Sequence, residues 1–163
     1  MVATVRTVVL PKNNLNLICF FIGSQIIFVA PMKNYIEKAH AVAKEKGFWE
    51  TERNVSEMLM LIVSELAEAQ EALRKNHYAD PSIVSDLSGD LELDRTDEEF
   101  LLKAMAWKEK FQSSVKSSFE DEIADVAIRL FDLCGGLGID LEKHIELKMK
   151  YNSMRGYKHG KAF

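Results

Sequence analysis

From residue 32 onwards, apolar residues recur every three or four positions, the spacing typical of amphipathic α-helices. The pattern predicts helices over about residues 32–46, 55–75, 97–112, 119–134 and 141–152. Expected helix ends are Gly47 and Gly135-Gly136, and expected N-caps are Asn54 or Ser56, Ser117 or Ser118, and Asp140. Residues 77–96 contain Pro81 and Gly89 and are expected to form an exposed loop. We therefore expect an all-α fold, a four- to five-helix bundle.

Residues 1–31 form an N-terminal extension with an apolar segment over residues 15–30. A signal peptide is one interpretation, but Phe28-Val29-Ala30 is a poor cleavage site. The segment is also shorter than the roughly 20 residues that span a bilayer, so we expect no stable membrane insertion. A second interpretation is an over-long gene start, with Met32 as the true initiator. The third is an extra strand or helix packed on the domain.

Length and composition favour one domain over residues 32–163. The chain has 163 residues, of which 47% are hydrophobic, which is enough for one well-buried core. A net charge of -4 gives no bulk attraction to nucleic acid, so no nucleic-acid partner is expected. Cys19 and Cys134 lie far apart, without the spacing of a disulfide framework or a thiolate metal site. A cytoplasmic location fits this cysteine usage.

Two acidic pairs lie within predicted helices. Glu65 and Glu68 share one helix face, and Glu122 and Asp125 share another. Glu65 falls inside the apolar sector of its helix, where an isolated carboxylate normally neutralises, pairs or binds a metal. Four oxygen donors without histidine select Mg²⁺, or Mn²⁺, over zinc. Because carboxylate di-iron bundles use Glu-x-x-His pairs, that alternative is disfavoured.

A basic stripe on the last helix complements these acids. Lys148 and Asn152 stack on one helix face, and Arg155 continues the line if the helix persists. Mg²⁺ is commonly held by a few carboxylates together with substrate phosphates. The acids and the stripe together indicate a metal-bound polyphosphate substrate.

The sequence resembles the MazG-like superfamily of all-α nucleoside triphosphate pyrophosphohydrolases over about residues 32–163. The resemblance lies in Leu61-Ile-Val-Ser-Glu-Leu-Ala-Glu68, Glu120-Asp-Glu-Ile-Ala-Asp125 and Lys148-Met-Lys-Tyr-Asn152-Ser-Met-Arg155. The family's Glu-Glu-x-x-Glu motif matches at Glu65 and Glu68, but Ser64 occupies its first position. Its Glu-x-x-Asp motif matches fully at Glu122 and Asp125. An insertion over about residues 77–117 separates the two motifs.

This resemblance implies hydrolysis of a nucleoside triphosphate to a monophosphate and pyrophosphate, a nucleotide-pool housecleaning activity. Its implied metal ligands are Glu65, Glu68, Glu122 and Asp125. Glu65 is our candidate general base, because burial favours the protonated carboxylate when no metal is bound. Lys148, Asn152 and Arg155 would bind the phosphates. Trp49 and Phe48 are candidates for stacking on the base, although aromatics beside a glycine turn are often core anchors instead.

Four further points concern the oligomeric state, the alternative functions and the substrate. A homodimer is expected, mainly from the family and because a bundle of this size leaves apolar faces to cover. A non-enzymatic interaction module, assembled through the helix at about residues 97–112, is the alternative from another class. A phosphoribosyl-ATP pyrophosphohydrolase is the alternative enzyme. The sequence identifies neither the base nor the sugar of the substrate.

Overall fold

The computed structural model describes residues 4–9, 16–22, 25–29, 32–89 and 97–156, the first three ranges by their backbone. The chain divides into two compact units. One comprises residues 1–53 and 131–163, and the other comprises residues 54–130.

The described residues from 32 onwards form six α-helices. They are α1 (Met32–Glu45), α2 (Val55–Arg74), α3 (Pro81–Leu87), α4 (Glu98–Ser114), α5 (Phe119–Leu137) and α6 (Leu141–Ser153). The all-α expectation is confirmed for this part of the chain. Among the described residues, no helix combines the length and the apolar character that crossing a membrane requires.

Three strands precede the helices: β1 (Thr4–Val9), β2 (Asn16–Ile22) and β3 (Gln25–Val29). They form an antiparallel sheet in the order β1-β2-β3, with Arg6 opposite Cys19 and Cys19 opposite Phe28. The segments are rich in valine, isoleucine, threonine and phenylalanine, residues that favour strands. An extra strand was one of the three interpretations of residues 1–31.

In the unit of residues 54–130, α2 and α5 begin at well-formed caps. Asn54 Oδ1 accepts hydrogen bonds from the backbone N–H groups of Ser56 and Glu57, at 2.9 and 3.4 Å. Ser118 is fully buried, and its Oγ accepts from the Asp121 N–H at 3.3 Å. Of the two caps that the sequence offered for each helix, the structure therefore uses Asn54 and Ser118.

The expected loop over residues 77–96 contains a helix, so that prediction was wrong for residues 81–87. Asp80 caps α3 by accepting from the Ser82 N–H at 2.8 Å, and Pro81 occupies the first turn. The helix is held against α4, because Trp107 Nε1 donates to the Leu87 carbonyl oxygen at 3.0 Å and Lys110 pairs with Asp86 at 3.0 Å. Residues 90–96 of the expected loop lie outside the described residues.

In the other unit, helix α5 passes through Gly135 and Gly136 and ends at Leu137, so the expected stop at these glycines was wrong. Both glycines serve close packing. A Cβ atom on Gly135 would lie 2.6 Å from the His40 Cβ, and one on Gly136 would lie 2.0 Å from Trp49 Cη2. The turn after α5 falls instead at Gly138, whose φ of +66° suits glycine.

Candidate metal site

Three of the four predicted metal ligands meet between α2 and α5. Glu65, Glu122 and Asp125 offer one ligand atom each, and these atoms all lie within 4.8 Å of one another. We call these three residues the carboxylate cluster. Glu65 and Glu122 are each 6% exposed, and Asp125 is partly buried. Two ligands on opposite sides of one Mg²⁺ lie about 4 Å apart, so the cluster is close to the size that one cation bridges.

Helical spacing explains why the three side chains converge. Glu65 lies on the buried face of α2, which it shares with Met58, Ala69 and Ala72. On α5, Glu122 and Asp125 are three residues apart and share one face. Two buried helix faces that each carry a carboxylate bring like charges together.

Arg129 partly compensates the charge of the carboxylate cluster. Its Nε and Nη2 atoms lie 2.6 and 2.5 Å from the same oxygen, Oε1 of Glu65. Sequence reasoning missed this residue. The signal was present, because Arg129 follows Asp125 by four positions and so extends the acidic face of α5. One guanidinium against three carboxylates leaves net negative charge at the site.

The pKa values of two cluster members reflect this excess. Burial raises the pKa of Glu122, and the charges of Glu68 and Glu65 raise it further. Burial also raises the pKa of Asp125, with added repulsion from Asp121, although Arg129 acts in the opposite direction. Both carboxylates therefore hold protons more tightly than free carboxylates do, and a bound cation would relieve the same repulsion.

The fourth predicted ligand, Glu68, is not a member of the cluster. Its side chain is exposed, because its position on α2 is rotated away from the buried face. Its charge still acts on Glu122, and both residues line a cleft of about 200 Å³. The structure thus brings three of the four acids together and leaves the fourth at the rim.

The predicted phosphate-binding residues lie on and just after α6, in the other unit. Lys148 and Arg155 both lie over the ring of Tyr151, with Lys148 Nζ at 5.1 Å and Arg155 Cζ at 6.0 Å from its centre. Asn152 is partly buried, and its Oδ1 has no hydrogen-bond partner within the described part of the chain. The structure therefore places both cations on an aromatic ring of α6.

The two predicted stacking aromatics differ from each other. Trp49 Nε1 donates to Asp132 Oδ1 at 2.8 Å, and its indole meets the His40 ring edge-on with centres 4.9 Å apart. Phe48 is 57% exposed, and Arg53 lies over its ring at 5.9 Å. Trp49 is thus a packing anchor in this structure, whereas the Phe48 ring faces solvent.

The same unit contains a cavity of about 460 Å³ that no predicted site residue lines. Its walls come from α1, the end of α5 and the start of α6, and include Lys33, Ile36 and Cys134. Burial raises the pKa of the Cys134 thiol, which makes it unreactive at neutral pH. Cys134 is therefore not a candidate nucleophile.

The donor set of the carboxylate cluster suits a hard divalent cation, because it consists of oxygens alone. The cluster could therefore bind a metal ion, and the geometry does not select which one. In comparisons with known proteins, no family model, no curated protein and no solved structure matches this chain.

Proposed function

We propose that this protein is a metal-dependent nucleoside triphosphate pyrophosphohydrolase of the MazG-like type. It would cleave between the α and β phosphates and release a nucleoside monophosphate and pyrophosphate, in the cytoplasm. The observation that carries the proposal is the meeting of Glu65, Glu122 and Asp125 within 4.8 Å. These three residues belong to the two acidic motifs of the family resemblance, and they come together across about half of the helical region.

The carboxylate cluster would hold Mg²⁺ or Mn²⁺, with Glu68 as a further ligand from the rim. The cation would supply charge neutralisation and acidify a water molecule for attack on the α phosphorus. Glu65 is the proposed general base. Because Arg129 holds its Oε1 atom, proton transfer to Glu65 requires either the other oxygen or release of the guanidinium.

Lys148, Asn152 and Arg155 are proposed to bind substrate phosphates, because cationic and amide donors form strong hydrogen bonds to phosphate oxygens. For the base, the geometry favours Phe48 over Trp49 as the stacking residue. The indole of Trp49 is already packed against α5, whereas the ring of Phe48 is accessible. The base and sugar specificity follow from neither residue.

The test is release of pyrophosphate from a panel of canonical and modified nucleotides by the full chain. Each reaction is run with Mg²⁺, with Mn²⁺ and with EDTA. Glu109→Gln, which changes an exposed carboxylate on α4, serves as the matched control for substitutions in the carboxylate cluster. Metal-dependent release that survives in the control supports the proposal.

The same panel separates the alternatives. Including phosphoribosyl-ATP identifies the related pyrophosphohydrolase, which would turn over that substrate alone. A folded protein that binds Mn²⁺ but releases pyrophosphate from no nucleotide would overturn the hydrolase assignment. That result would favour the alternative proposal, a non-enzymatic helical interaction module.

We also propose that the protein forms a homodimer through α2. Leu59, Val63, Leu66 and Leu73 are each at least 40% exposed and, with Gln70, follow the alternating four- and three-residue spacing of a coiled-coil seam. A second copy of this helix presents the matching seam, as a two-fold interface requires. No other helix of the described residues carries so long an exposed apolar row at this spacing.

Sedimentation equilibrium tests the dimer. The wild-type chain is expected at twice the mass of one chain, and Leu66→Lys is expected to dissociate it by placing a charge in the seam. Met60→Lys is the matched control, because Met60 is 62% exposed but lies outside the seam spacing. A monomeric wild-type protein would overturn the proposal.

A further inference from the structure

The cleft beside the carboxylate cluster has basic residues that no motif identified. It has a volume of about 200 Å³ and lies where the end of α2 meets the turn before α5. Its lining combines three acids with two potentially cationic side chains. The full set is Glu68, Glu71, Ala72, Lys75, His77, Ser117 and Glu122. Glu122 belongs both to this cleft and to the carboxylate cluster, so the two are continuous.

Two tight turns form one end of the cleft. Asn76 ends α2 in the left-handed region, with φ of 53°, and the His77 N–H then donates to the Ala72 carbonyl oxygen at 2.9 Å. In return, the His77 carbonyl oxygen accepts from the Phe119 N–H at 2.9 Å. These backbone bonds fix His77 beside the start of α5 before any ligand binds.

The second turn is built in the same way. Ser117 also has a positive φ, of 62°, and its N–H donates to Asp121 Oδ2 at 2.9 Å. A positive φ is unfavourable for a non-glycine residue and persists only where the surrounding bonds enforce it. The backbone at this end of the cleft is therefore preformed.

The charges of the cleft determine which ligand it can accept. Lys75 pairs with Glu71 at 3.3 Å, but Glu68 and Glu122 leave the lining net negative. A free anion would be repelled. An anion that enters together with a divalent cation would meet the cation at Glu122 and find donors in Lys75 and His77.

The volume of the cleft limits the size of the ligand that it can bind. Pockets for whole drug-sized ligands have volumes of about 300–1,000 Å³, and this cleft is smaller. It has room for phosphate groups and not for a complete nucleotide.

We propose that this cleft binds the pyrophosphate portion of a metal-complexed nucleotide, with Lys75 and His77 as phosphate-binding residues. The proposal rests on the proposed function, which supplies the substrate class. It adds a phosphate site within residues 54–130, the unit that carries the carboxylates, and assigns that site to residues outside both acidic motifs.

Calorimetric titration of the full chain with inorganic pyrophosphate, with and without Mn²⁺, tests the proposal. Binding is expected with Mn²⁺ and not in its absence. Lys75→Ala and His77→Ala should each weaken binding about tenfold or more, as expected for loss of a charge-assisted hydrogen bond. Arg74→Ala is the matched control, because it removes a neighbouring cation that also pairs with Glu71 but does not line the cleft.

Two outcomes overturn the proposal. One is pyrophosphate binding that is equally tight in wild type, Lys75→Ala and His77→Ala. The other is an equal loss in the Arg74→Ala control, which would indicate a general charge effect. If His77→Ala misfolds, Lys75→Ala decides alone, because the Lys75 side chain is 67% exposed and its removal leaves the packing intact.

The result is separable from the proposed function. If the wild-type chain hydrolyses nucleotides while the Lys75 and His77 variants keep normal pyrophosphate binding and KM, the cleft assignment fails and the hydrolase stands. If Mn²⁺ and pyrophosphate bind through Lys75 and His77 but no nucleotide is hydrolysed, the cleft stands and the hydrolase assignment fails.

Discussion

Each unit of the chain contains a partly buried polar cluster, and the two clusters differ in how their charges and hydrogen bonds are matched. In the unit of residues 1–53 and 131–163, one carboxylate oxygen, Asp132 Oδ1, bonds to His40 Nδ1 at 2.9 Å and to Trp49 Nε1 at 2.8 Å. We call these three residues the Asp132 cluster. In the unit of residues 54–130, the carboxylate cluster brings three carboxylates together, and the guanidinium of Arg129 bonds to only one of them, Glu65.

From this difference we infer that the carboxylate cluster, and not the Asp132 cluster, could hold a ligand. An ionised carboxylate only accepts hydrogen bonds, so two N–H donors complete the Asp132 cluster, which requires no ligand. The carboxylate cluster has an excess of like charge, and burial makes that excess costly. Such a cluster is tolerated where a ligand compensates it, so we expect the two clusters to respond differently to substitution and to metal.

The largest expected effect is on turnover. Glu122→Gln removes a negative charge from the carboxylate cluster and should reduce metal-dependent pyrophosphate release by about 100-fold or more, the range for loss of a charge-stabilising group. The metal-free variant should be more stable than wild type to urea, because the repulsion that raises the Glu122 pKa is removed. Loss of activity together with loss of stability would instead assign Glu122 to packing.

The next largest effect is expected in the Asp132 cluster, on stability alone. Asp132→Ala leaves the Trp49 and His40 N–H groups without their shared acceptor, and each unsatisfied group costs about 1–3 kcal/mol. Because these groups are partly exposed and water can replace part of the lost bonding, we expect the free energy of unfolding to fall by about 2–4 kcal/mol, in the lower part of the summed range, in urea titrations. Mn²⁺ affinity should not change. Glu146→Ala, at an exposed position of α6, is the control. Unaltered stability would contradict a structural role for this cluster.

At Arg129 we expect a smaller effect, in which stability falls while metal affinity rises. Arg129→Gln removes the cation that holds Glu65, which should cost about 1–3 kcal/mol in the metal-free protein. Metal affinity should rise up to about tenfold, because a repelling charge close to the cation is gone. Isothermal titration with Mn²⁺ measures the second effect. A fall in affinity would show that Arg129 organises the ligands and does not merely neutralise them.

Much of the helical part was predictable because local signals agree with the packing. One of the two predicted caps of α2, Asn54, matches the structure, as do the predicted cap at Asp140 and the start of α1 at Met32. Each of these predictions rests on short-range spacing. The prediction missed α3, because a helix of seven residues is too short to show a recurring apolar pattern. Its stability comes from Trp107 and Lys110 on α4, which lie far along the chain.

At the candidate site too, local spacing was predictable from the sequence, whereas contacts between distant residues were not. Spacing along α2 placed Glu65 in the apolar sector, and spacing along α5 placed Glu122 and Asp125 on one face, but it could not show that these three side chains meet without Glu68. Nor could it show that Gly135 and Gly136 continue α5, because that depends on His40 and Trp49 packing against them. The cleft of Lys75 and His77 depends on two positive-φ turns that no motif marks.

The smallest expected effect is the pH dependence of stability that the carboxylate cluster causes. Burial and neighbouring carboxylates raise the pKa of Glu122 and Asp125, so the folded state binds more protons than the unfolded state. Their contribution to stability is present below the ordinary carboxylate pKa, about 4, and is lost as pH rises through the raised values. The metal-free protein should therefore lose this contribution over that range.

Metal reverses the sign, because a cation competes with protons for the same oxygens. With saturating Mn²⁺, the stabilisation over the metal-free protein should grow as pH rises through this window and then level off. Urea titrations between about pH 4 and 8, with and without Mn²⁺, measure both curves. In Glu122→Gln both slopes should be shallower, whereas in the Glu109→Gln control they should match wild type. Equal slopes in wild type and Glu122→Gln would show that the excess charge of the carboxylate cluster is not what binds the metal.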